Sequence, residues 1–475
     1  MKRLSQYIDE NKDFYLRTLS LAVPMILQQL ITNFVSMIDN VMIGMVGTPQ
    51  MNGVSIANQL IFVFNITAFG GISGASIFGT QFFGKGDHEG QKYTVRFRLL
   101  LTLIVITLAA LIFHFFGNNL ISLYISPEDA ASLKAETLNY GKNYLELMIL
   151  GILPFAIGQA YSSAIRECGE TKIPMLASMA AIGVNVILDY VLIFGKLGCP
   201  KLGVTGAAIA TVIAKYIEAL LVIIWAHTHS ERNRYIIDLY KSFYIPPALA
   251  KEILIKGCPL LINEFLWSLS VSVVAQCYSV RGLDVVAARN IASTLVNLFG
   301  VVYIQLGAAI GIIIGFELGA GRHEKARESA AKLRIFSIVI TVLVALCMIP
   351  IARLFPMLYN TTDQIKDLAA FFIIIQALAM PFWSYTNACY FILRSGGKTG
   401  ITFLYDFLFS WFLVIPLSYI LTKHTNLEIH PLFIILTFSE VVKCLVGFFM
   451  VKSGIWINTI VSECDNGDGS FDTFF

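Results

Sequence analysis

The sequence predicts an all-α integral membrane protein: twelve transmembrane helices in two six-helix bundles, related as parallel repeats by a pseudo-twofold axis. Three observations predict it. The first is composition. Of 475 residues, 56% are hydrophobic and 14% charged, with a mean hydropathy of +0.72, whereas soluble domains carry about 25% charged residues. The second is a series of apolar runs, each long enough for the roughly 20 residues that cross a bilayer as a helix. The third is internal repetition.

The runs are 14–44, 51–78, 93–117, 138–165, 172–195 and 203–228, then 252–279, 287–316, 329–355, 366–393, 399–421 and 430–452. The start, Met1 to Arg17, is polar, and no small-residue cleavage site follows it, so it reads as the lead of an uncleaved first span. Residues 1–228 form the first bundle and 252–456 the second. Between them, 229–251 contains Glu231–Arg234 and Pro246–Pro247 and reads as a cytoplasmic linker. Residues 457–475 read as a disordered tail. Its acids Asp465 and Asp468 faintly suggest a calcium loop but lack the closing glutamate. Lys and Arg cluster in the loops on the N-terminal side of the membrane, for example Lys85, Arg98, Arg232 and Arg327, which puts both termini in the cytoplasm. Eight scattered cysteines suggest neither a disulfide framework nor a zinc site.

The repeat is read from ordered matches. Gly84, Gly86, His88 and Glu89 align with Gly319, Gly321, His323 and Glu324, and Pro24 aligns with Pro259. Later, Arg166, Gly169 and Thr171 align with Arg394, Gly397 and Thr399, and Lys215 with Lys443. An even number of spans per repeat starts both halves on one side, so substrate is expected between them.

Polar residues within the apolar runs carry the functional signal. Asp39 lies in the first span, and an ionisable group there costs several kcal/mol unless protonated, paired or wetted. Pro24 is expected to bend the same helix. Asn185 and Asp189 are i and i+4, hence on one face of the fifth span. Thr211 enters the sixth span at similar depth. These four oxygen-bearing residues are the candidate cation or proton site, because two carboxylates in a low-dielectric pocket favour sharing one proton. The bland alternative is a polar network that merely glues helices. Glu264 has no local partner and, with Asp406, is a possible second acidic site. Lys215–Glu218 and Glu440–Lys443 read as i, i+3 pairs that neutralise each other. Arg166 and Arg394 read as snorkelling edge residues, and His88 and His323 as solvated turn residues. Gln28, Gln59, Phe64, Tyr161, Trp267, Gln276 and Tyr303 are weak candidates for a substrate lining that suits lipophilic cations.

At these residues the chain resembles the MATE family of multidrug and toxic-compound extrusion transporters, most closely its bacterial DinF-type and NorM-type members. Carrying the resemblance are P-M-I-L-Q-Q-L and S-M-I-D-N-V-M-I-G in the first span, F-G-K-G-D after the second, N-V-I-L-D-Y-V-L-I-F-G, and G-V-T-G-A-A-I-A-T. The resemblance implies two-bundle carriers that export organic cations in exchange for protons or sodium. It also implies a cation site at Asp39, Asn185, Asp189 and Thr211, with bending near Pro24 coupled to its occupancy. Glu264 matches the acidic position in the seventh helix of NorM-like members. The tenth span (366–393) departs from their pattern in having no interior acid, and Asp406 is the residue available to substitute.

The expected function is therefore a proton- or sodium-coupled antiporter in the bacterial plasma membrane. It would work as a monomer on amphipathic, cationic small molecules, without a cofactor and without a metal beyond a sodium ion. Two alternatives stand. A lipid-linked oligosaccharide flippase would want a strongly cationic groove, and only Lys215 and Lys443 lie in the middle of a span, away from its ends. An intramembrane enzyme finds no support, since neither a paired-histidine metal motif nor a serine elbow is present. Nothing in the sequence suggests nucleic-acid binding.

Overall fold

The computed structural model describes residues 2–125 and 131–463. The acids of the proposed calcium-like tail, Asp465 and Asp468, lie outside the described residues. Among those described there are no strands, and twelve helical segments are long and apolar enough to cross a membrane. Six precede the linker: α1 (Lys2–Gly44), α2 (Thr48–Lys85), α3 (His88–Ser122), α4 (Ala131–Glu167), α5 (Lys172–Phe194) and α6 (Val204–Thr228). Four more are α7 (Pro247–Ser279), α8 (Leu283–Gly319), α9 (His323–Leu354) and α10 (Asp363–Ser395).

The last two spans are interrupted. The eleventh runs from α11 (Thr399–Phe407) through a π-helical stretch, Leu408–Val414, into α12 (Ile415–Lys423). Pro416 explains the widening: its ring would clash with the carbonyl of Phe412, and a π-turn moves that carbonyl aside. The twelfth is α13 (Ile429–Phe438) followed by α14 (Glu440–Lys452). At the break, the Ser439 hydroxyl donates to the Leu436 carbonyl at 2.7 Å, competing with the helical ladder.

The repeat is visible in backbone detail. Helices α3 and α9 begin at the equivalent His88 and His323, each after a glycine of positive φ, Gly86 (+79°) and Gly321 (+69°). Only glycine takes that conformation without strain.

The chain divides into two compact units. One comprises Val23–Gly79 and Asp87–Lys251; the other comprises Met1–Ala22, Thr80–Gly86 and Glu252–Phe475. The expected boundaries at 228 and 252 thus differ in two short pieces. The start of α1 packs on later helices through the Tyr15–Phe336 ring stack (4.8 Å) and Arg17 over Phe316 (5.9 Å). The end of α2 does so through Gln81, whose Nε2 donates to the Ser395 carbonyl at 2.8 Å. Helix α1 is continuous through Pro24, and the division falls just before it, between Ala22 and Val23.

Within the first-named unit, α4 packs along α6. Gly151 and Gly158 admit Val212 and Ala219, so the two helices run parallel. Their apolar core includes Ile61, Phe64, Leu145, Ile152 and Ala208. The linker is no loose tether. Tyr235, Ile236 and Leu239 are buried against Tyr161, Ala164 and Val222. Arg96 holds it by donating to the carbonyls of Asp238 and Leu239, both at 2.9 Å. In the other unit, α10 is central, flanked by α8, α9, α13 and α14. Phe372 and Phe433 stack there at 4.0 Å. Residues 457–463, expected to open the tail, instead form a short ordered segment ending in a helical turn, Ile460–Glu463. Its Ile460 amide donates to Gln81 Oε1 at 2.9 Å, and the Thr459 hydroxyl donates to the Leu318 carbonyl at 2.8 Å.

Candidate functional site

Three helices bring the four candidate ion-site residues to one place within one unit. Helix α1 supplies Asp39, α5 supplies Asn185 and Asp189, and α6 supplies Thr211. The carboxyl groups of Asp39 and Asp189 lie within hydrogen-bonding reach of each other. Asp189 is 1% exposed and Asn185 6%. Oδ1 of Asp39 and both carboxyl oxygens of Asp189 are buried and make no close hydrogen bond among the described residues, although the Asn185 amide lies within reach of Asp189. Two ionised carboxylates cannot donate to one another, so a shared proton or a bound cation is what would satisfy such a pair.

Three neighbours escaped the sequence reading. Tyr144 of α4 is buried beside both acids, with its hydroxyl within reach of Thr211 and of Asn58 of α2. Lys215 lies within electrostatic reach of Asp39. A mid-span tyrosine and asparagine are weak signals alone; only helix packing selects these from the other polar residues. Lys215 also makes the expected local pair, donating to Glu218 Oε2 at 3.2 Å.

The second unit assembles a different cluster. Lys443 Nζ lies 2.7 Å from Asp406 Oδ1 and 3.8 Å from Glu440 Oε1. The tighter partner is thus Asp406 from the eleventh span, not the local Glu440. Asn263 Nδ2 donates to the other oxygen of Asp406 at 3.0 Å, and the Thr386 hydroxyl donates to Glu440 at 2.8 Å. Glu264 comes within electrostatic reach of Arg394 and Asp406, so the two suspected acids are brought together. Asp406 sits two residues before the π-helical stretch and Glu440 directly after the break at Ser439, which places both helix irregularities at this cluster.

The arginines do not behave as edge residues. Arg394 is only 8% exposed and lies over the Phe391 ring. Arg166 Nη2 donates to Gln28 Oε1 at 2.9 Å. Burial overrides snorkelling here because each side chain finds partners inside its unit. The matching histidines differ as well. His323 is exposed and its Nε2 is 2.8 Å from the Thr459 hydroxyl, while Nδ1 of His88 is buried.

The weak lining candidates scatter. Gln28 is engaged by Arg166. Gln59, Trp267 and Gln276 are exposed. Phe64 belongs to the apolar core, and Tyr303 is partly buried against the core of the other unit. Tyr161 is fully buried, its hydroxyl hydrogen-bonded to that of Tyr240 and 3.1 Å from His227 Nε2.

The MatE family model matches residues 24–191 and 259–420, one stretch in each half and well over half of the chain. The chain belongs to the MatE family. Both matched stretches begin at a proline of the internal repeat, Pro24 and Pro259. Among curated relatives, this MatE protein is 24% identical over 451 residues to a probable multidrug resistance protein NorM from Thermotoga maritima, covering 92% of each chain. It is 24% identical over 419 residues to the multidrug resistance protein MdtK of Yersinia pestis, covering 88% of this chain and 89% of that one. Among solved structures, a MATE crystal structure in the bent conformation superposes with a TM-score of 0.82 at 18% identity, covering 95% of this chain and 96% of the other. An outward-facing multidrug resistance MATE transporter of the MOP superfamily gives the same TM-score, identity and coverage. These likenesses establish the fold: the MatE architecture of twelve membrane helices is present in full.

Proposed function

We propose that this MatE protein is an ion-coupled exporter of amphipathic, cationic small molecules in a bacterial plasma membrane, with both termini cytoplasmic. Efflux follows the names carried by its relatives from Thermotoga maritima and Yersinia pestis. Ion coupling rests on the chain's own residues. The observation that carries it is the facing pair Asp39 and Asp189, two carboxyl groups within hydrogen-bonding reach of each other. A proton shared between the two carboxyl groups, or a sodium ion with Asn185, Thr211 and Tyr144 around it, supplies what the pair lacks. Neutralising one charge lowers the cost of holding both acids away from water. Substrate and ion then drive transport only by favouring different conformations of the carrier.

The test is reconstitution of the full chain into sealed liposomes with a fluorescent lipophilic cation as substrate. A pH gradient and a sodium gradient are imposed separately. Export driven by either one and abolished by its collapse is the expected result. Equal substrate fluxes with and without both gradients would remove ion coupling.

A further inference from the structure

A line of charged and polar side chains leaves the acid pair and ends on α1. Thr211, Lys215 and Glu218 stand at i, i+4 and i+7, so they share one face of α6. Lys215 is within electrostatic reach of Asp39 and donates to Glu218 Oε2 at 3.2 Å. Glu218 lies within electrostatic reach of Arg166 on α4. Arg166 Nη2 holds Gln28 Oε1 at 2.9 Å. Gln28 is one helical turn past Pro24, on the same helix as Asp39.

Each charge along this line has two partners to choose from. Lys215 stands between Asp39 and Glu218, and Glu218 between Lys215 and Arg166. Arg166 also keeps a buried Nε with no hydrogen-bond partner among the described residues, a donor in hand for a carboxylate. A pair that merely reduced the cost of placing Lys215 in the membrane would need Glu218 alone, with neither Arg166 nor Gln28.

We propose that Lys215, Glu218 and Arg166 are positioning residues that report the charge of the Asp39–Asp189 pair to Gln28, in the turn of α1 that follows Pro24. The inference rests on that pair being the coupling site. When both acids are charged, Lys215 is drawn to Asp39, Glu218 loses its partner and takes Arg166, and Gln28 is released. When an ion neutralises one charge, Lys215 returns to Glu218 and Arg166 holds Gln28; these two contacts are the ones the structure contains. The groups facing Asp39 are Asp189 from α5, Lys215 from α6 and Tyr144 from α4; of these, Lys215 alone brings a positive charge and competes with a cation.

The experiment is ion-driven efflux by the full-length protein in liposomes, with rates measured against proton or sodium concentration for wild type, Glu218→Gln, Lys215→Met and Asp39→Asn. In Glu218→Gln, Lys215 has only Asp39 to pair with, so the ion concentration for half-maximal transport rises by roughly fivefold or more. In Lys215→Met the competitor is gone and that concentration falls by a similar factor. A purely structural pair would lower melting temperature and yield without moving half-saturation in opposite directions. Half-saturation unchanged from wild type in Lys215→Met, or in a folded Glu218→Gln, overturns the relay. Ion-driven efflux that persists in Asp39→Asn, or is absent from wild type, fails differently, because it removes the coupling site itself.

Discussion

Lys215 and Lys443 occupy equivalent places in the internal repeat, yet their surroundings are opposite in kind. Lys443 is fixed between two acids, with Asp406 at 2.7 Å and Glu440 at 3.8 Å, and its side chain is 15% exposed. Lys215 has one local partner at 3.2 Å and a side chain 31% exposed, while the nearby acids Asp39 and Asp189 face each other. The repeat has kept the bases, Lys215 with Lys443 and Arg166 with Arg394, and moved the carboxylates. In one unit the acid is paired with an internal cation; in the other two acids face each other, as the proposed coupling site requires. The lesson is that acid content does not identify a coupling site in this fold. What marks the proposed one is a pair of acids that face each other.

Substitutions that treat the two units alike should therefore give unlike results. The largest contrast is expected between Asp39→Asn and Asp406→Asn. The first should reduce gradient-driven efflux to the level of empty liposomes while leaving yield and melting temperature near wild type. The second leaves Lys443 with only the more distant Glu440, and should show first as loss of folded protein on size-exclusion chromatography. A folded, fully active Asp39→Asn protein would erase the contrast.

Next in size are the lysines themselves. Removing one partner of a buried ion pair typically costs about 3–5 kcal/mol, because the other charge stays buried. Lys443→Met, which strands Asp406 and Glu440, is expected in that range. Lys215→Met removes a half-exposed i, i+3 partner and is expected to cost no more than about 1 kcal/mol. Thermal unfolding in detergent compares the two, and equal costs would show that the units hold their lysines in the same way.

Smaller still is Tyr144→Phe. It removes a buried hydroxyl that reaches Thr211 and Asn58 and should cost about 1–2 kcal/mol in melting experiments. It should also weaken the response to the coupling ion without abolishing it.

The smallest effect is expected in the linker. Asp238 is solvent-exposed, and a hydrogen bond from Lys241 holds its carboxyl below the usual carboxylate range. A depressed folded-state value means that its contribution is present above the ordinary value of 3.8 and is lost only as pH falls through the lower folded value. The small difference in melting temperature between wild type and Asp238→Asn should therefore stay constant from pH 5 to 8 and narrow only as pH falls below 3.8. Asp238 also has a positive φ of 61°, so Asp238→Gly should be neutral or slightly stabilising.

Much of this was legible in the chain itself. The twelve apolar runs, the repeat at His88 and His323, and the i, i+4 spacing of Asn185 and Asp189 are local or periodic features, and local features survive reading along one dimension. So does the cost of Asp39 in hydrocarbon, which marked the first span as functional whatever it packs against. Tertiary structure alone decided who meets whom. Lys443 chose Asp406 over its neighbour Glu440 because helix crossing brings the eleventh span closer than one helical turn does. Tyr144 was placed beside the acid pair, and Arg166 on Gln28, only by the packing of helices distant in sequence. The linker and residues 457–463 read as polar and loose in sequence, but they are ordered by Arg96 and Gln81, two buried side chains that satisfy distant backbone groups. The physical reason is the same throughout. Hydrophobicity and helical periodicity are written residue by residue, whereas the pairing of buried polar groups is a property of packed helices.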